Sequence, residues 1–285
     1  MTPHCYMLQT GDIQMIVGDD SRNGSGGQQY SGLWSLTHRV HSFNAFGNSF
    51  AGLLASDLRG VGCRIQRDGE HGAMLISDAT DERPTDAVAR YAVAGPDAID
   101  FSLSVTDHGD RLNYLSATPF REVAACCYMN SLSDARLRFR MDDGWWPYMS
   151  PQHGVGSHLA PSYLSANELE VPPAGEKAGF HWDRISRRFD QPFYFGRIDR
   201  MYMLLVFDQP KYIRYFLSPT GGGSSLAPGQ TCPAWDYEWI IPECDYQTGR
   251  QYDFRLRMIF SPYVSDACIF ERALETQASL GFEKV

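Results

Sequence analysis

The chain has 285 residues, a length that suits one large all-β domain or two ordinary ones and needs neither metal nor disulfide staple. Its composition, 43% hydrophobic and 21% charged, excludes a disordered, collagen-like or coiled-coil chain. The net charge of −9, with 22 arginines but only Lys177, Lys211 and Lys284 as lysines, argues against a nucleic-acid binder, which needs a basic footprint.

In chain order, residues 6–9 and 13–17 flank Thr10-Gly11-Asp12 and predict a hairpin. A polar, glycine-rich loop follows over 18–31. Two more hairpins join 62–67 to 73–77 and 87–93 to 99–106, the second through Gly95-Pro96-Asp97. Alternating runs predict strands at 111–117, 123–130, 135–141, 179–189, 193–197, 200–207, 211–217, 235–241 and 251–260. Residues 142–178, rich in Pro, Gly, Trp and His, read as one long irregular loop of the kind that often carries function. A helix is predicted over 265–280, where Ile269, Ala273, Leu274 and Ala278 lie near helical spacing and Gly281 follows as a cap. Roughly fifteen short strands with tight turns specify an antiparallel sandwich or barrel. No repeat or composition shift divides residues 1–285, which are expected to form a single domain.

Three constellations carry the candidate chemistry. In the run Ala234-Trp235-Asp236-Tyr237-Glu238-Trp239, alternation places the three aromatics on one strand face and both carboxylates on the other. Two carboxylates at i and i+2, about 7 Å apart, suit acid–base work or pairing with arginine. Arg136, Arg138 and Arg140 form a one-faced stripe, as do Arg255 and Arg257; each reads as a solvated sheet face or an anion-binding groove. The third is histidine, the natural acid or base near neutral pH. His153 lies in the glycine-flanked run Gln152-His153-Gly154-Val155-Gly156-Ser157-His158, just after Trp145-Trp146, and is the preferred candidate. His181 would share a strand face with Asp183, and His38 follows Leu36-Thr37.

No cofactor is expected. Gly221-Gly222-Gly223-Ser224-Ser225 lacks the Gly-Lys-Ser/Thr ending of a phosphate loop, and the His-x4-His pair has no third metal ligand nearby. Seven cysteines, an odd number without a Cys-x-x-Cys pair, fit reduced thiols in a cytoplasmic protein. Residues 1–16 do not read as a signal peptide, and the apolar run 201–207 falls far short of the ~20 residues that span a bilayer, so no membrane partner is expected. If the protein self-associates, a homodimer is the expected form.

The blocks Gly32-Leu33-Trp34-Ser35-Leu36-Thr37-His38, Phe193-Tyr194-Phe195-Gly196, Ser218-Pro219-Thr220-Gly221-Gly222-Gly223 and Pro233-Ala234-Trp235-Asp236-Tyr237 resemble those of a family of bacterial proteins to which no reaction is attached. Length and strand density resemble the β-supersandwich of galactose mutarotases and related lyase and hydrolase domains. This resemblance implies an all-β fold, a large antiparallel sandwich with a C-terminal helix, and a small-molecule carbohydrate as ligand. The Asn-His-x-Phe/Tyr block of aldose 1-epimerases is not evident. A mutarotase-type reaction would pair His153 or His181, as acid, with Glu238 or Asp236 as base. A lyase-type reaction would use Tyr194 or His153 to abstract a proton while an arginine neutralises a uronate. Trp145, Trp146, Tyr194 and Trp235 are the expected sugar platform, with His38, Arg214 and Asp236 as further contacts. The reading is a carbohydrate-active enzyme of epimerase, lyase or hydrolase type; the alternative is a non-catalytic sugar-binding or interaction subunit of a sugar-degrading assembly.

Overall fold

Period-two alternation of apolar and polar residues suits strands that bury one face, as Ala98–Asp107 and most of Gln251–Pro262 do, whereas Met201–Phe207 and Ile213–Ser218 are buried on both faces. The computed structural model describes residues 4–21, 30–47, 51–109, 120–130, 132–163, 187–220 and 232–281. Strands β1 (Cys5–Gln9), β2 (Ile13–Gly18) and β3 (Gly32–His38) form a small three-stranded sheet in that order. Next come β4 (Leu54–Ala55), β5 (Arg64–Asp68), β6 (Gly72–Ser77), β7 (Thr85–Val93) and β8 (Ala98–Asp107). They are followed by β9 (Phe120–Cys126), β10 (Leu137–Met141), β11 (Gly144–Tyr148), β12 (His158–Pro161) and β13 (Arg187–Phe189). The last strands are β14 (Phe193–Ile198), β15 (Met201–Phe207), β16 (Ile213–Ser218), β17 (Ala234–Pro242) and β18 (Gln251–Pro262).

Nine strands make a large sheet, ordered β11-β10-β14-β15-β18-β8-β7-β6-β5, and six make a second, ordered β13-β12-β16-β17-β9-β4. The two sheets enclose a shared apolar core. The nine-stranded sheet contributes Phe101, Phe139, Tyr194, Phe207 and Phe254, and the six-stranded sheet contributes Tyr215, Trp235, Tyr237 and Trp239. Helix α1 (Asp266–Ser279) packs Ile269 and Ala273 on the outer face of the nine-stranded sheet, against Phe193, Phe195 and Leu204. Ser265 caps it by accepting a hydrogen bond from the Cys268 amide at 3.2 Å. Among the described residues no helix is long and apolar enough to cross a membrane. None of the seven cysteines is in a disulfide.

Two of the sequence blocks interlock across the core. A Cβ built on Gly196 of β14 would stand 2.0 Å from the Trp235 ring, so only glycine leaves the slot that the indole fills. The Tyr194 hydroxyl donates to the Trp235 carbonyl at 2.8 Å, and the Trp235 indole nitrogen donates to the Ala135 carbonyl at 2.7 Å. These contacts fix β17 from the opposite sheet.

The stretch 142–178 differs from its expected irregularity, because β11 and β12 fall within it. Gly144–Met141 pairing starts a tight β10–β11 hairpin, and β12 pairs with the distant β16 on one side and, in parallel, with β13 on the other. The strand expected at 111–117, and residues 179–186 of the strand expected at 179–189, lie outside the described residues.

Candidate functional site

With Trp235, Tyr237 and Trp239 turned into the core, β17 must present Asp236 and Glu238 on its other face. The antiparallel register with β16 sets Arg214 opposite Glu238, Phe216 opposite Asp236, and Ser218 opposite Ala234. β12 adds His158 opposite Phe216. The outer face of the six-stranded sheet therefore gathers Arg214, Glu238, Asp236 and His158 from three adjacent strands.

The geometry is that of a buried charged cluster. Arg214 Nη2 donates to Glu238 Oε2 at 2.7 Å, and His158 Nε2 lies 3.6 Å from Glu238 Oε1, longer than a direct hydrogen bond. Relative exposure is 0% for Arg214 and His158, 1% for Glu238 and 8% for Asp236. A carboxylate removed from water to this degree needs its counter-charge. Asp236 Oδ1 accepts from the Cys127 amide at 2.8 Å, which ties β17 to the end of β9.

His153 joins this face from the loop before β12. Gly154 (φ +74°) and Gly156 (φ +63°) take left-handed conformations that glycine adopts without strain, and the Val155 amide closes the turn on the Gln152 carbonyl at 3.1 Å. Tyr148 Oη donates to the Gly156 carbonyl at 2.6 Å, and the Leu217 amide donates to the Ser157 carbonyl at 2.9 Å. So held, His153 Nδ1 lies 2.7 Å from Ser218 Oγ. Phe216 separates the two imidazoles, with ring centroids 6.0 Å from His153 and 4.8 Å from His158.

Other expected contacts are placed elsewhere. Trp235 and Tyr194 are fully buried in the core, so neither offers a ring to a ligand on the outer face. Trp145 lies under α1 on the other sheet, its ring against Phe195 and its indole nitrogen donating to the Asp266 carbonyl at 3.0 Å. Trp146 points to the opposite side of edge strand β11, 45% exposed, and donates to Asp143 Oδ1 at 2.7 Å. Adjacent residues of one strand cannot share a face, which is why this pair forms no common platform. His38 is buried at the end of β3 against Phe260, its Nδ1 accepting from the Val40 amide at 3.2 Å. Burial lowers its pKa. His181 lies outside the described residues.

Sequence reasoning missed the far side of the face. Tyr30, Arg59, Cys126 and Tyr128 cluster beside Asp236, brought there from three separate stretches of chain. His158 stood in the sequence only as half of a His-x4-His pair; its pairing with Phe216 is a long-range fact that spacing does not encode.

The fold has known counterparts. A protein of Escherichia coli K12 provisionally named an aldose 1-epimerase superposes with a TM-score of 0.50 at 10% identity, over 91% of this chain and 99% of that one. Heparan sulfate lyase HepC from Pedobacter heparinus superposes with a TM-score of 0.53 at 6% identity, over 93% of this chain but 36% of the lyase. The chain thus spans about a third of the lyase's length. These likenesses define a galactose mutarotase-like β-sandwich. No protein-family model matches the sequence, and no curated protein matches it.

Proposed function

We propose that the protein is a carbohydrate-active enzyme that moves protons at the anomeric centre of a compact sugar, on the outer face of the six-stranded sheet. The observation that carries this reading is the convergence of Glu238, Arg214, His158 and His153 on one face of a mutarotase-like sandwich. Glu238 is the base and takes the proton of the anomeric hydroxyl. His153, joined to Ser218 and less buried than His158, is the acid and gives a proton to the ring oxygen. The C1–O5 bond breaks with its electron pair going to O5, and the C1–O1 bond becomes a carbonyl. Reclosure on the other carbonyl face returns both protons and yields the other anomer. Arg214 and His158 position Glu238.

Burial bears on the substrate. A polymer running across a surface would need its catalytic groups open, whereas Arg214, Glu238 and His158 are 0–1% exposed. A mono- or disaccharide admitted by local opening fits this better. Proton abstraction by Tyr194 is disfavoured, since its hydroxyl is spent on the Trp235 carbonyl inside the core.

The test follows anomer exchange of neutral and acidic hexoses by NMR. Glu238→Gln and His153→Ala should each slow the exchange by roughly 10²–10⁴-fold while retaining the native circular dichroism spectrum. Full rates in both variants would overturn the assignment. One observation favours a second reading: Arg214 and Glu238 are buried enough to be a fixed tie between β16 and β17. In that case the protein binds sugar without turning it over, and wild type accelerates no exchange.

A further inference from the structure

We infer that Ser218 is the positioning residue of the acid: its hydroxyl accepts the Nδ1 proton of His153, so that Nε2 is the nitrogen that trades its proton with the sugar. This deepens the reading above and rests on it.

Alternation along β16 turns Tyr215 and Leu217 into the core and leaves Arg214, Phe216 and Ser218 on the outer face. Each of these three meets one part of the site. Arg214 holds Glu238 at 2.7 Å, Phe216 stands between the two imidazoles, and Ser218 Oγ lies 2.7 Å from His153 Nδ1. Ser218 is 0% exposed, so its oxygen is withdrawn from water and is satisfied by protein groups. The Thr220 amide donates to the same oxygen at 3.3 Å and braces it from the chain that follows β16.

The imidazole is held as firmly as the hydroxyl. The Ser150 hydroxyl donates to the Leu217 carbonyl at 2.8 Å, and the Leu217 amide donates to the Ser157 carbonyl at 2.9 Å. The loop is therefore tied to β16 on both sides of His153. The Phe216 ring meets the imidazole edge-on, with an interplanar angle of 88°. Turning the imidazole over, so that its nitrogens change places, would give up the bond to Ser218.

The chemistry gives this bond a direction. A serine hydroxyl has two acceptor lone pairs, here one for the Thr220 amide and one for the imidazole. Which nitrogen of a histidine carries the working proton is set by the bond that the other nitrogen makes. An acid must be charged before it acts, and the imidazolium carries a proton on both nitrogens. With Nδ1–H given to Ser218, the proton that passes to O5 leaves from Nε2, and the neutral ring keeps Nδ1–H on the serine. On reclosure the O5 proton returns to Nε2, so the bond to Ser218 persists through the whole cycle. An acceptor at Nδ1 also favours the charged imidazole over the neutral one, the polarity that an acid needs.

Heteronuclear NMR of nitrogen-labelled histidine reads the tautomer directly, with His153 assigned by the signals lost in His153→Ala. Neutral His153 should carry its proton on Nδ1 in wild type, and Ser218→Ala should shift it toward Nε2–H. Anomer exchange by Ser218→Ala should fall by up to roughly 10²-fold in kcat with KM little changed. The decline in rate on the alkaline side should also move to lower pH, because nothing then favours the charged ring. Ser218→Thr, which keeps the hydroxyl, should restore the tautomer and the pH profile. Where its methyl disturbs β16, wild type and Ser218→Ala still decide. A neutral His153 protonated on Nε2 in wild type overturns the role of Ser218 but leaves the sugar reading standing. So does an unchanged tautomer and pH profile in Ser218→Ala. Wild type that accelerates no exchange overturns sugar turnover itself, and the acid with it.

Discussion

On the outer face of the six-stranded sheet, Arg214 and Glu238 meet at 2.7 Å with 0% and 1% of their side chains exposed. On the outer face of the nine-stranded sheet, Arg255 reaches Asp208 at 3.3 Å with 60% of the arginine side chain in water. Arg257 pairs there with Asp100, and Arg136 and Arg138 share Asp134. Both faces come from one kind of sequence, charged residues alternating with apolar ones along a strand. What separates them is the surroundings: water reaches and screens the arginines of the second set, although the Asp208 side chain is itself only 10% exposed, whereas the first set interacts in a medium of much lower dielectric. The arginine stripes that drew attention in the sequence are thus largely occupied with neighbouring aspartates, and the buried Arg214 belongs to no stripe.

The sharpest way to break this contrast is Arg214→Met, which leaves Glu238 buried without its guanidinium. Urea unfolding should show a loss of about 3–5 kcal/mol. Next in size is Gly196→Ala, whose added methyl collides with the Trp235 ring and should cost about 1–3 kcal/mol by the same measurement. A variant as stable as wild type would mean that β17 is not held from across the core.

A pH-dependent effect should follow at Asp208, which burial raises to about 6 despite Arg255 beside it. This folded value exceeds the roughly 4 of an unfolded aspartate, so the native state binds more protons between those values. Stability therefore declines as pH rises from about 4 through about 6. Asp208→Asn should remove that decline, raising the urea midpoint at pH 7 relative to wild type more than at pH 4. An equal effect at both pH values would contradict it. The smallest change belongs to Arg257→Gln, at most about 1 kcal/mol; a cost matching that of Arg214→Met would erase the distinction between the faces.

Local periodicity made much of the fold legible. Alternation alone separates Trp235, Tyr237 and Trp239 from Asp236 and Glu238, and α1 begins and ends within one residue of the limits set by its spacing and flanking glycine. What alternation cannot say is which sheet a strand joins. Trp145 and Trp146 stand near His153 in the chain, yet β11 belongs to the edge of the nine-stranded sheet, while the His153 loop is stitched to β16. The Tyr30–Arg59–Tyr128 cluster was hidden for a related reason. Its members are ordinary residues in separate segments, and only the closing of β4 onto β9 and of Tyr128 onto Ala234 brings them together.

The Gly196 slot has a consequence for inheritance. Sliding β17 by one residue would turn the carboxylates inward and the indoles outward, and the notch opposite Trp235 admits an indole at one position only. An atom that is missing from one sheet therefore determines which face of the other carries charge. In any descendant of this chain that keeps its chemistry, the glycine and the tryptophan must be retained together or replaced together, although Gly196 lies on the sheet opposite to the charged face.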